Sequence, residues 1–176
     1  MKGNITPTIV LTIICTAAAL LLVLAYELTK DRISEQRELK FNESVESLFG
    51  ECKTTIIDDN FGYDEIQKIA VTSDGKTFIQ VIADGYSKDG INILVGIDEN
   101  GILSGISFIS LAETPGLGTK IRDESSFIDK NFIGITEAPD NIDSISGATF
   151  SSKGMKNAVE IAMNAYNNNK EAILGG

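Results

Sequence analysis

Histidine is absent from the 176 residues, cysteine occurs twice and proline three times. Without imidazole there is no Ser-His or Cys-His catalytic pair, and no general base accompanies the serines. No Cys-x-x-Cys is present, and Cys15 sits in an apolar run far from Cys52, which excludes a disulfide framework and a structural zinc site. Neither GxxxxGK[ST] nor GxGxxG occurs, so the familiar phosphate loops are missing too. Carboxylates alone can hold calcium, but Asp58-Asp59-Asn60 lacks the spacing of a calcium loop and reads as a solvated turn. Positive charge is also short. The net charge is -10, which repels nucleic acid and anionic lipid headgroups alike. Any catalysis by this chain therefore has to be supplied by a bound cofactor.

Residues 6–28, TPTIVLTIICTAAALLLVLAYEL, carry one charge, Glu27. As a helix they span roughly 35 Å, enough to cross a bilayer core. Pro7 falls in the first turn, where its missing N–H costs nothing. The small pair Ala17 and Ala19 resembles a signal cleavage site, but the apolar run continues through LLLVLAY beyond it, which favours a retained anchor. Lys2 precedes the helix, while Lys30 and Arg32 follow it among Glu27 and Asp31, so positive charges alone do not fix the orientation. A short inside tail at 1–5 and an exported remainder is the preferred arrangement. Beyond the anchor, 29–50 is expected to be a linker helix region, one helix or two broken at Gly50, with apolar residues 41, 45, 48 and 49 at helical spacing. A domain at 51–170 and a tail at 171–176 complete the expected organisation.

Four strands are expected in that domain, within EIQKIAVTS, TFIQVIADGYS, INILVGID and ILSGISFISL. DG at 74–75, KDG at 88–90 and ENG at 99–101 are hairpin signals between them. The fold class is α+β: a twisted antiparallel sheet packed with helices, with Val81, Ile93, Val95, Ile106 and Phe108 on buried faces. Gly85-Tyr86 reads equally as a bulge or a plain loop. AETPGLGTKIRDESSFIDKNF reads as a loop. A C-terminal helix follows, capped by Ser151 or Ser152, with Met155, Ala158, Val159, Ala162, Met163 and Tyr166 as its apolar stripe.

Two glycine-containing segments remain. In SGATFSSKG, Gly147 permits a tight turn and Ala148 does not crowd a ligand. Thr149, Ser151 and Ser152 put hydroxyls around the first amides of a helix, and Lys153 and Lys156 can add charge. That combination attracts a phosphate, and ordinary capping of a packed helix explains it as well. Glu113-Thr114-Pro115-Gly116-Leu117-Gly118 offers a carboxylate, a hydroxyl, glycine amides and an apolar side chain on a stiffened frame. It suits either a flat heterocycle or a structural turn.

DSISGAT at 143–149 matches Asp-x-x-Ser/Thr-Gly-Ala-Thr, the signature of FMN-binding domains that carry their flavin covalently. With ETPGLG at 113–118, the run GINILVGIDENGILSGI at 90–106 and one N-terminal membrane helix, nearly the whole chain resembles this family. Its members include the G subunit of Rnf electron-transport complexes and the C subunit of sodium-translocating NADH:quinone reductases. The short exported part is closer to the Rnf member.

The resemblance implies FMN joined by its phosphate to Thr149, with Asp143, Ser146, Gly147, Ala148 and Thr149 as the flavinylation motif. It extends the expected cofactor-binding set to Ser151, Ser152, Lys153, Glu113, Thr114, Gly116, Leu117 and Gly118. Attachment is by a magnesium-dependent FMN transferase that uses FAD and releases AMP. It further implies an electron carrier on the extracytoplasmic side of the cell membrane, without an active site of its own. The partners implied are integral membrane subunits and a second flavin- or iron–sulfur-bearing subunit, in a complex coupling ferredoxin:NAD⁺ electron transfer to Na⁺ or H⁺ transport. A stand-alone flavinylated protein and a non-redox membrane-tethered scaffold are the other readings.

Overall fold

The computed structural model describes residues 6–50 and 52–175, so the tail expected at 1–5 lies outside the described residues. Two compact units divide between Lys40 and Phe41. Helix α1, Thr6–Phe49, is continuous for 44 residues and unites the anchor with the linker region. The reason is local: no proline or glycine occurs between Pro7 and Gly50. Gly50 ends it at φ +77°, its amide bonded to Glu46 O at 2.8 Å. The first unit contains the apolar part of α1, long enough to cross a membrane, and the charged turns that follow it as far as Lys40.

The second unit contains the last turns of α1 and a five-stranded antiparallel sheet in the order β1-β2-β3-β4-β5. The strands are β1 Thr54–Ile57, β2 Ile66–Thr72, β3 Thr77–Ala83, β4 Ile91–Ile97 and β5 Leu103–Leu111. β1 is additional to the four expected strands, because TTII is too short to show an alternation and its middle residues are exposed. The Asp58-Asp59-Asn60 segment turns from β1 towards β2, with Asp59 and Asn60 side chains accepting the amides of Phe61 and Gly62. Two tight hairpins each place a glycine at positive φ, Gly75 at +86° and Gly101 at +83°.

Each face of the sheet is covered separately. Ile79, Val81, Ile91, Ile93, Val95 and Ile97 point to one face, against α4, Thr149–Leu174. Phe78, Leu94, Ala70 and Ile109 point to the other, against Phe41 and Val45 of α1. Val81, Ile93 and Val95 are fully buried as expected, whereas Ile106 and Phe108 are half-buried. Burying Phe41 and Val45 stabilises this unit by about 1.5–3 kcal/mol each. The compact unit therefore begins at Phe41, ahead of the boundary expected at 51.

The segment expected as a loop after ETPGLG contains two short helices, α2 Lys120–Asp123 and α3 Ser125–Asn131. Phe127 of α3 packs edge-on to Phe132, their centroids 5.6 Å apart. α4 runs on to Leu174 through a non-helical Asn169, so residues 171–174 are helical and Ile173 is buried.

The meander sends the tight hairpins to one end of the sheet. At the other end the β3–β4 connection, residues 84–90, meets the chain leaving β5. Gly154 is what lets α4 reach that end. A Cβ on Gly154 would lie 2.3 Å from Asp84 O and 2.8 Å from Gly85 Cα, both backbone atoms. Alanine would gain about 1 kcal/mol of helix propensity. A clash with immovable backbone costs about 1–3 kcal/mol or more, so the clash wins. Gly154→Ala is expected to lower the thermal midpoint of the domain. An unchanged or raised midpoint would mean that α4 can slide off this loop freely.

Candidate functional site

At this end of the sheet a cleft of ≈ 350 Å³ is lined by Tyr86, Thr114, Leu117, Gly118, Gly147, Ala148, Thr149, Phe150 and Ser151. Three stretches of chain build it, and none of the lining side chains is charged.

The first stretch is ETPGLG. Leu117 N bonds to Thr114 O at 3.1 Å, across Pro115 and Gly116. Proline fixes φ near about −65° at the second position, and Gly116 has φ +73° at the third, which together define a type II turn. Gly116 itself stays on the outside, its amide held by Thr119 Oγ1 at 2.9 Å. Thr114, Leu117 and Gly118 reach the cleft.

The second stretch is ISGA. Ala148 N bonds to Ile145 O at 2.9 Å, and Gly147 takes φ +80°. Ser146 is not among the residues of positive φ, so this is a second type II turn. A Cβ on Gly147 would sit 3.8 Å from Leu117 Cδ2, so the two turn tips face each other.

Helix α4 begins immediately, with Ala148 as its cap residue and no side chain capping it. The expected cap by Ser151 or Ser152 is thus corrected, because both lie inside the first turn and both hydroxyls are used elsewhere. Ser152 Oγ accepts the amide of Ile145 at 3.1 Å, and Ser151 Oγ donates to Glu113 Oε2 at 2.5 Å. Both serines are buried. Thr149 is exposed on the cleft wall, and its hydroxyl has no partner among the described residues. Ser146 is also exposed but does not line the cleft. The first rung of the helical ladder is Ser152 N to Ala148 O at 2.8 Å, which leaves the preceding amides at the helix start outside the i→i−4 pattern. Lys153 lies one turn beyond Thr149 on the same helical side and is exposed, whereas Lys156 pairs with Glu160 at 2.9 Å.

Glu113 sits behind the wall. It is only 6% exposed and accepts from Tyr86 N at 3.2 Å, Ser87 N at 3.1 Å and Ser151 Oγ. Added Cβ atoms on Gly85, Gly90 and Gly118 would each come within 2.6 Å of its carboxylate oxygens, so three glycines make the room it occupies. Its carboxylate ties the β3–β4 loop, the ETPGLG turn and the start of α4 together. Asp143 lies apart from the cleft and pairs with Lys130, which holds its carboxyl below the ordinary carboxylate range. Its amide bonds to Asn131 Oδ1 at 2.7 Å, fastening the motif's first residue to α3.

The third stretch, the β3–β4 loop around Tyr86, belongs to neither motif segment. Tyr86 and Phe150 are 73% and 70% exposed and meet edge to face, with centroids 6.4 Å apart and planes at 70°. The signal for them in the sequence is an aromatic residue interrupting each of two otherwise small and polar segments, DGYS and GATFSS.

The FMN-binding domain family matches residues 85–164, a span that contains all three stretches. Over nearly its whole length the chain is similar to the G subunit of the ion-translocating oxidoreductase complex of Aliivibrio fischeri (strain MJ11). The two are 30% identical over 195 residues, covering 95% of this chain and 92% of that protein. The chain belongs to this G-subunit family. The corresponding protein of Vibrio vulnificus (strain YJ016) is 30% identical over 186 residues, covering 91% of this chain and 87% of its own length. That of Haemophilus influenzae (strain PittEE) is 36% identical over 109 residues, covering 55% and 52%.

FMN is the cofactor of this family, and the cleft suits it on its own terms. An uncharged wall accepts a flat, largely apolar ring, and a free hydroxyl beside a helix N-terminus accepts a phosphate.

Proposed function

We propose that this G-type subunit is a membrane-anchored electron carrier with one FMN esterified through its phosphate to Thr149. The observation that carries the reading is the state of the hydroxyls in SGATFSS: those of Ser151 and Ser152 are buried and committed, Ser146 is exposed away from the cleft, and Thr149, its hydroxyl unpartnered, lines the cleft. Attachment makes Thr149 Oγ1 the new ester oxygen on the FMN phosphorus of FAD. The phosphoanhydride bond to AMP breaks, AMP leaves, and the threonine proton passes to solvent. A separate FMN transferase performs this step during maturation.

The remaining residues have supporting roles. The start of α4 faces the single negative charge of the phosphodiester, and Lys153 adds a positive charge one turn along. Leu117, Ala148 and Gly147 form an apolar floor that keeps water from part of the ring, and Gly118 leaves its backbone open to it. Glu113 positions this wall from behind and does not touch the cofactor. FMN supplies one- and two-electron redox chemistry, and tethering keeps it present at high effective concentration.

The protein's place is within an Rnf-type complex that couples electron transfer between ferredoxin and NAD⁺ to Na⁺ or H⁺ movement. The names of its relatives support membership of an ion-translocating oxidoreductase complex. The apolar part of α1 crosses the cell membrane once, with the N-terminus inside and the flavin domain outside. Its small-residue stretch CTAAA, 15–19, allows close packing against integral subunits. A neighbouring subunit with a second flavin or an iron–sulfur centre exchanges electrons with this one.

Protease added to intact spheroplasts is expected to remove a domain that fluoresces under ultraviolet light in a denaturing gel, while a cytoplasmic control survives. A fluorescent domain digested only in inverted vesicles would reverse the orientation. A colourless domain would favour the scaffold reading.

A further inference from the structure

Outside the apolar part of α1, few large hydrophobic side chains are exposed, and two of the most exposed are Tyr86 and Phe150. One comes from the β3–β4 connection and the other from the start of α4, 64 residues apart, and they meet at the mouth of one cleft, with Leu117, half exposed, lining the same space. Apolar side chains left in water together at the mouth of a pocket mark a ligand or a partner. The scaffold holds both from behind. The amide of Tyr86 is fixed by Glu113 and Phe150 lies in the first turn of α4, so both backbones are anchored while both rings project.

We infer that Tyr86 and Phe150 are the residues that hold the isoalloxazine ring, one ring offering its face and the other its edge. This rests on the reading of the cleft as the FMN site. With their planes at 70° in this structure, the two rings do not form the parallel walls of a sandwich. A corner remains, matching the offset and edge-to-face contacts that aromatic quadrupoles favour. The phosphodiester at Thr149 ties down only the end of the ribityl chain. The aromatic corner decides whether the redox-active end is fixed or swings. Phe150 follows the attachment residue directly and Tyr86 comes from a different loop, so two independent segments set the ring's orientation.

The test uses full-length flavinylated protein in detergent, as wild type, Tyr86→Ala, Phe150→Ala and the conservative Tyr86→Phe. All three changes are at exposed side chains and leave Thr149 intact. The alanine variants are expected to retain one flavin per chain by mass. Their flavin fluorescence should rise several-fold, since a tyrosine in contact quenches the excited ring, and their anisotropy should fall toward that of a freely swinging tether. Tyr86→Phe should keep the high anisotropy but lose part of the quenching. As a check independent of the tether, Thr149→Ala protein should bind added riboflavin. Loss of either aromatic ring should weaken that binding roughly tenfold.

Full flavin content with unchanged anisotropy, quenching and riboflavin affinity in both alanine variants would overturn the inference and leave the attachment reading standing. If those variants instead lost only assembly with other subunits, the corner would be a protein-docking patch, which also overturns it. Absence of flavin from the wild-type protein would remove both readings together.

Discussion

Thr149→Ala is expected to abolish covalent flavin completely while leaving the fold intact. The two halves of that expectation have separate causes. Within SGATFSS, Thr149 Oγ1 is the unpartnered hydroxyl on the cleft wall, and the neighbouring Ser151 and Ser152 cannot replace it without breaking buried hydrogen bonds. Moving the link to Ser151 would take one of the three donors from buried Glu113, and moving it to Ser152 would displace the acceptor of the Ile145 amide, at about 1–3 kcal/mol. Stability should hold because Thr149 does not cap its helix: Ala148 occupies the cap position and no side-chain bond is lost. Alanine is the better helix former, so the change should fall within about 0.5 kcal/mol of wild type. Thr149→Ser keeps an oxygen but loses the methyl that restricts the rotamer, and is expected to be modified poorly. In-gel flavin fluorescence and a thermal melt read the two halves independently. Covalent flavin surviving in Thr149→Ala would refute the attachment site.

Glu113→Ala is expected to have the largest effect on stability, a loss of roughly 3 kcal/mol or more, because it strips the acceptor from three donors. Glu113→Gln separates charge and shape from acceptor number. One carboxamide oxygen can serve either Ser87 N or the Tyr86 N and Ser151 pair. The amide nitrogen then faces an N–H on the other side, donor against donor. The glutamine protein should lose about 1–3 kcal/mol. Since Tyr86 and Ser151 both line the cleft, its flavin spectrum should shift even though Glu113 lies behind the wall. Urea midpoints and absorbance spectra measure the two effects. A glutamine variant with wild-type stability would mean that water already satisfies these donors.

Much of this arrangement is legible in the residues. The hydrophobic alternation of residues 77–111 and the glycines at 75 and 101 point to the meander, because tight hairpins leave antiparallel neighbours little choice. The small apolar stripe from Met155 to Tyr166 points to the helix that covers it. β1 escapes because four residues, half of them exposed, carry no period. The unbroken α1 is understated because its charged middle hides the fact that nothing in it stops a helix. In the site, the motif segments can be recognised, but the division of labour among their hydroxyls cannot. The motif resemblance singles out Thr149, but chemistry alone does not separate it from Ser146, Ser151 and Ser152; packing does, burying and committing the hydroxyls of Ser151 and Ser152, leaving Ser146 off the cleft and Thr149 on its wall. Glu113 offers the same difficulty: a carboxylate beside a glycine-rich turn suggests a ligand contact. Gly85, Gly90 and Gly118 lie up to 33 residues apart, so the enclosure that takes Glu113 away from the cleft has no local signature.

The most direct measurement is localisation of the flavin on wild-type protein made together with its transferase. Trypsin cuts after Lys130 and Lys153, so the peptide 131–153 contains Ser146, Thr149, Ser151 and Ser152 together. Its mass should exceed that of the bare peptide by one FMN less one water, and fragmentation should assign the addition to Thr149. An unmodified peptide, or an addition on one of the serines, would contradict the account.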